Sequence, residues 1–125
     1  MTIIALIVVL LREQVPSEYY VTETPEKDFE TVLMEVTAYC PCVLCCEDWS
    51  DNHFADGSQV GDKAIAADTR YYPMGTKMDV PGYGVAIVKD RGGAIKGNKL
   101  DVFFMNHKTA LQWGRRKNVN VKIRK

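Results

Sequence analysis

Two aspartates flank a glycine-rich loop in the stretch Val88-Lys-Asp90-Arg-Gly92-Gly93-Ala94-Ile-Lys96-Gly97-Asn98-Lys-Leu-Asp101-Val-Phe-Phe104. Each stands at the edge of an apolar run. Residues 85–88 precede Asp90, and Leu100 with Val102, Phe103 and Phe104 surrounds Asp101. Setting a carboxylate among β-prone apolar residues carries a desolvation cost. A fold that accepts this cost on both sides of one glycine loop is expected to use the carboxylates. Any architecture for the chain must therefore bring two strand ends and one tight loop to the same place.

The surrounding pattern predicts short strands over 32–38, 64–67, 76–80, 85–89, 100–104 and 118–124. In the last of these, Val119, Val121 and Ile123 fall on one face. One helix is predicted after the fifth strand. Asn106 caps it, Ala110, Leu111 and Trp113 give it an apolar side, and Gly114 ends it. Six strands and one short helix suit a small mainly β barrel. The chain divides into an apolar segment at 1–11, an acidic linker at 12–30 and the barrel domain at 31–125.

Charge names no partner, because 16 basic and 16 acidic residues cancel. The basic residues near the C-terminus have no aromatics interleaved among them, so nucleic acid is not an expected partner. The apolar run from Thr2 to Leu11 is shorter than the roughly 20 residues that span a bilayer. It has the length of a signal-peptide core. Export or membrane tethering through this segment, and a place in the cell envelope, are the expectation.

Asp68, Asp90 and Asp101 all lie at strand edges, where a barrel rim can gather them. Two carboxylates held close cannot both ionise easily, so one is pushed up in pKa. Raising an aspartate from about 4 to about 6 takes roughly 3 kcal/mol. The product is a general acid near neutral pH, as cleavage of a glycosidic bond requires. For Asp101 the catalytic reading is favoured; for Asp68 a turn-capping role stands equally beside it. Gly92 and Gly93 are expected to turn with positive φ and approach a ligand closely. The loop lacks the spacing of a phosphate loop. Lys96 either grips a substrate carboxylate or is solvated. Tyr83, on a glycine-flanked turn, is the aromatic expected to stack on a ligand, whereas Trp113 is expected in the core. His53 and His107 are far apart in sequence, and His107 reads as a surface or packing residue on the helix's first turn. Cys40, Cys42, Cys45 and Cys46 lie within seven residues. Disulfides suit an exported protein; a zinc site and reduced thiols are the alternatives. No metal is assigned to the site and no cofactor is required.

Several stretches together are identified as those of the 3D, or three-aspartate, domain. They are Thr37-Ala-Tyr-Cys-Pro-Cys-x-x-Cys-Cys46, Ala66-Ala-Asp68, Tyr72-Pro-Met-Gly-Thr76, Pro81-Gly-Tyr-Gly84, Asp90-Arg-Gly-Gly-Ala-Ile-Lys-Gly-Asn98, Leu100-Asp-Val-Phe-Phe104 and Ala110-Leu-Gln-Trp-Gly114. The same stretches resemble the barrel domain of the membrane-bound lytic murein transglycosylase A family. The resemblance implies a six-stranded double-psi β-barrel. It implies an enzyme that cleaves peptidoglycan glycan strands to 1,6-anhydro-muramic products in cell-wall turnover. It matches Asp101 to the acid/base and Asp90 and Asp68 to the supporting aspartates. Gly92, Gly93, Ala94, Lys96 and Tyr83 are the residues assigned to the sugar groove. The chain departs from the family after Asp56-Gly57, where Ser58 to Asp62 is short and implies a lower groove wall. A non-catalytic barrel that binds cell-wall glycan is the alternative reading.

Overall fold

A computed structural model describes residues 28–42, 51–61 and 63–124. The apolar segment 1–11, most of the acidic linker, and Cys45 and Cys46 lie outside the described residues. No helix among the described residues is long and apolar enough to cross a membrane.

Six strands and one helix follow in order: β1 (Phe29–Tyr39), β2 (Ala64–Ala67), β3 (Lys77–Val80), β4 (Gly84–Asp90), β5 (Lys99–Phe103), α1 (His107–Trp113) and β6 (Arg116–Arg124). The strands close into a barrel in the order β1-β5-β2-β4-β3-β6. β1 runs parallel to β5 and β2 parallel to β4, and the remaining pairs are antiparallel. This is the six-stranded mixed barrel that the sequence led us to expect.

The strands form where small alternations place apolar side chains inward. In β3, Met78 and Val80 are buried while Lys77 and Asp79 face out. In β6, Val121 and Ile123 are buried and Val119 is half-buried on the predicted face. β2 breaks the rule, because all four of its residues are buried. It lies between β4 and β5 in the barrel. A second apolar cluster covers its outer side, with Phe54 from the 51–61 loop packed on Ala64 and Phe103. The Phe54 and Phe103 rings meet edge-on at 5.0 Å.

α1 is capped as predicted. The Asn106 side chain accepts from the Thr109 amide at 3.2 Å, and Gly114 ends the helix at φ 67°. Ala110 and Trp113 face the barrel, but Leu111 is 67% exposed. Positions 110 and 113 share one face at helical spacing, and 111 is turned about 100° away from it. Trp113 donates its indole N–H to the Val36 carbonyl at 3.1 Å, and the Arg116 guanidinium lies 3.6 Å over its ring. The helix is thereby fixed against β1 and the start of β6.

Candidate functional site

Register places four residues in one lateral row. Thr37 of β1 pairs with Asp101 of β5, Asp101 with Ala66 of β2, and Ala66 with Asp90 of β4. Neighbouring strands stand about 4.8 Å apart, so the two aspartates are two strand spacings from one another at the backbone. Between them is a single methyl group. A bulkier side chain at 66 would fill the gap between the carboxylates.

Asp101 is half-buried, and among the described residues Thr37 is its hydrogen-bond donor, at 3.0 Å. Burial pushes its carboxyl up to about 6; the Thr37 hydroxyl opposes this, and the negative charge of Asp90 adds to it. Asp90 is held differently. It accepts from the Tyr39 hydroxyl at 2.7 Å on one oxygen and from the Ala55 amide at 2.9 Å on the other. These donors fix its orientation beside Asp101. They also tie the 51–61 loop to the rim, since the Asp56 amide bonds the Lys89 carbonyl at 3.1 Å.

Asp68 has the opposite environment. It is 1% exposed and accepts four hydrogen bonds. Arg70 supplies its backbone amide and a two-pronged guanidinium contact, at 3.0 and 2.8 Å. Gly97 donates its amide at 2.9 Å. Hydrogen bonds from the Arg70 side chain, then from the Gly97 amide, hold its carboxyl well below the usual carboxylate range. Asp68 anchors the far end of the glycine loop.

The same loop corrects one expectation. Neither Gly92 nor Gly93 has a positive φ; that conformation belongs to Gly97, at φ 66°. The need at Gly92 is steric, because a Cβ there would sit 3.2 Å from the Ile95 side chain. Gly92 thus lets Ile95 fold back over the loop, whose turn is closed by the Ile95 amide on the Gly92 carbonyl at 3.1 Å.

Clefts open on both sides of Asp101. One, of about 520 Å³, is bounded by Tyr39, His53, Phe54, Asp90, the Arg91-Gly92-Gly93 backbone and Ile95. The other, of about 320 Å³, is bounded by Thr37, Ala94, Ile95, Lys99 and Arg115. Tyr39, Ile95 and Asp101 border both, so the carboxyl stands between the two clefts. Lys96 lies in a third cleft with Asp68, Arg70 and Arg91.

Tyr83 does not reach this groove. It is 6% exposed and donates its hydroxyl to the Phe103 carbonyl at 2.6 Å, with the Ala64 carbonyl at 3.2 Å. Its glycine-flanked turn bends the ring inward, where it meets Phe104 and Trp113 edge-on. It is a core residue rather than a stacking surface. Thr37, Tyr39 and Ile95 take the places that the sequence reading left empty. The alternation of Thr37 and Tyr39 on one strand face was the available signal. The parallel pairing of β1 with β5 that aims it at Asp101 is a property of topology.

Tyr39→Phe removes the hydroxyl from Asp90 and keeps the edge contact of the ring with Phe103, at 5.3 Å. A hydrogen bond to a charged group contributes about 1.5–3 kcal/mol. The variant is expected to lose stability in that range in chemical denaturation. Unchanged stability would mean that Asp90 is held by the Ala55 amide alone.

The model of the 3D domain family matches residues 63–125. YocH of Bacillus subtilis (strain 168), named a cell wall-binding protein, is 51% identical over 61 residues, covering 49% of this chain and 21% of its own. YabE of the same organism, a protein named for cell wall shaping, is 38% identical over 111 residues, covering 86% of this chain and 26% of its own. The chain therefore spans about a quarter of these relatives. Among solved structures, MltA from E. coli aligns with a TM-score of 0.48 at 21% identity, over 58% of this chain and 27% of that one. MltA with bound chitohexaose aligns at 0.49 and 19%, with the same coverage.

Proposed function

The chain belongs to the 3D domain family, and from that premise we propose that it is a cell-wall module that cleaves peptidoglycan glycan strands by lytic transglycosylation. The observation that carries this reading is Asp101, a half-buried carboxyl raised to about 6 that borders two clefts. Such a group holds a proton near neutral pH and meets a polymer from the side.

In the proposed step, protonated Asp101 gives its proton to the glycosidic oxygen as the bond from that oxygen to C1 breaks. Charge develops on the sugar ring as in other glycoside cleavages. The Asp101 carboxylate then takes the proton of the sugar's own 6-hydroxyl as that oxygen bonds to C1. The products are a free 4-hydroxyl on the leaving sugar and a 1,6-anhydro ring on the other. No second nucleophilic carboxylate is needed. That suits Asp90, whose two oxygens are occupied by Tyr39 and Ala55. Its role here is to keep Asp101 protonated and to position the loop. Export to the cell envelope belongs to the same reading and is supported by the cell-wall names of YocH and YabE.

Incubation with purified peptidoglycan, followed by mass analysis of the soluble muropeptides, tests the proposal. Release of 1,6-anhydro-muramic products is the expected result. A second reading, a barrel that binds wall glycan without cutting it, is favoured by the name of YocH. Sedimentation of the protein with the wall, with no soluble product, would select it over the first.

A further inference from the structure

Away from the groove, three metal-ligating atoms converge where β1 ends and α1 begins. The Cys40 and Cys42 sulfurs are 2.7 Å apart, and each is 3.3 Å from Nδ1 of His107. Cys40 is buried, and Cys42 and His107 are half-buried. The sequence reading left His107 as a surface or packing residue of the helix's first turn, 65 residues from Cys42. The barrel removes that distance. The Phe104 amide bonds the Tyr39 carbonyl at 2.8 Å, so the ends of β1 and β5 are pinned together just before Cys40 and His107.

We propose that Cys40, Cys42 and His107 hold a Zn²⁺ ion. Zinc sites draw ligands from separate segments, and this trio combines a Cys-x-Cys pair with an imidazole from a helix start. Two thiolates and one imidazole form the soft, borderline donor set that selects zinc over calcium or magnesium. The triangle of donors is small enough for one ion to reach all three at about 2.0–2.3 Å. Two sulfurs bound tetrahedrally at that length stand about 3.8 Å apart, so the pair opens by about 1 Å on binding. The ion takes three ligands from these residues and leaves one position for a further donor. Its structural role is a clamp. β1 carries Thr37 and Tyr39, the partners of Asp101 and Asp90, and the metal fixes the end of that strand to α1. The proposal is independent of whether the groove cuts glycan.

The test uses the full chain, purified without metal-affinity steps. Elemental analysis is expected to give one zinc per chain. Exchange of zinc for Co²⁺ is expected to give the visible bands of a tetrahedral site and thiolate-to-cobalt charge transfer. Cys42→Ser should lower the charge-transfer intensity, and His107→Gln should weaken Co²⁺ binding by at least about tenfold. If either variant fails to fold, alkylation of the wild type gives an independent reading. Bound zinc should protect Cys40 and Cys42, and chelation should expose both. Protection confined to Cys45 and Cys46, or full metal affinity in both variants, would overturn the assignment. So would a metal-free protein whose unreduced mass is two hydrogens short, with Cys40 and Cys42 linked by a disulfide.

Discussion

Asp101→Asn is expected to abolish release of anhydro products and, at the same time, to make the protein more stable at neutral pH. On the proposed function, the loss follows from removing the proton carrier, for which general acid catalysis contributes about 10²–10⁴-fold. The gain follows from linkage. The native carboxyl is raised from 3.8 to about 6, so between those values the folded chain binds more protons than the unfolded one. Stability contributed by this group therefore falls as pH rises through that window, and the full penalty applies above it. Two pH units correspond to about 3 kcal/mol, and partial solvent access reduces this to about 1–3 kcal/mol. Asparagine keeps an acceptor for Thr37 and carries no charge. The variant should melt several degrees higher at neutral pH, with the gain vanishing by about pH 4. Wild-type kcat/KM should fall tenfold per pH unit above about 6, as the protonated fraction falls. A variant that is inactive and also less stable at neutral pH would mean that the Asp101 charge is favourable in the fold, contrary to the burial argument.

Asp68→Ala is expected to act through the loop rather than through the proton. The substitution leaves the Gly97 amide and the Arg70 guanidinium without their buried acceptor. The glycine loop then keeps its anchor at Asp90 and loses the one at Gly97. A displacement of about 1 Å in a positioning element can reduce turnover by about 10²-fold. Turnover should drop by about that factor, while the pH at which activity declines stays in place. Amide exchange at Gly97 should quicken. Asp68→Asn retains one acceptor oxygen and should recover part of the loss. Because the wild-type carboxyl is held well below 3.8, its anchoring persists over the whole neutral range and is lost only in strong acid. A displaced pH limb in Asp68→Ala would instead identify Asp68 as part of the proton machinery.

Much of this was readable from residue order. The strands in β3 and β6, the Asn106 cap and the Gly114 stop are local features, and alternation or capping chemistry encodes them directly. Asp101 was legible because a carboxylate inside an apolar strand is costly wherever the strand lies. What could not be read was lateral. The row Thr37-Asp101-Ala66-Asp90 exists only through two parallel pairings and one antiparallel pairing between strands distant in sequence. Tyr83 was misread for a related reason. Flanking glycines announce a turn and say nothing about which side of the barrel its aromatic faces. The positive φ expected at Gly92 and Gly93 falls at Gly97 instead, because composition does not distinguish a glycine needed for φ from one needed for space.

The barrel closes between its first and last strands, with β1 paired to β6 on one side and to β5 on the other. This gives the chain an order of assembly. Ring closure waits for Arg116–Arg124, which is synthesised after the other five strands of the barrel. Until then β1 has no antiparallel neighbour, and pairing over such separations is a slow step in folding. The antiparallel side of β1, the strand that carries Thr37 and Tyr39 beside Asp101 and Asp90, is therefore completed last. A chain stalled before that strand would carry every residue of both clefts beside Asp101 on a barrel that has not closed.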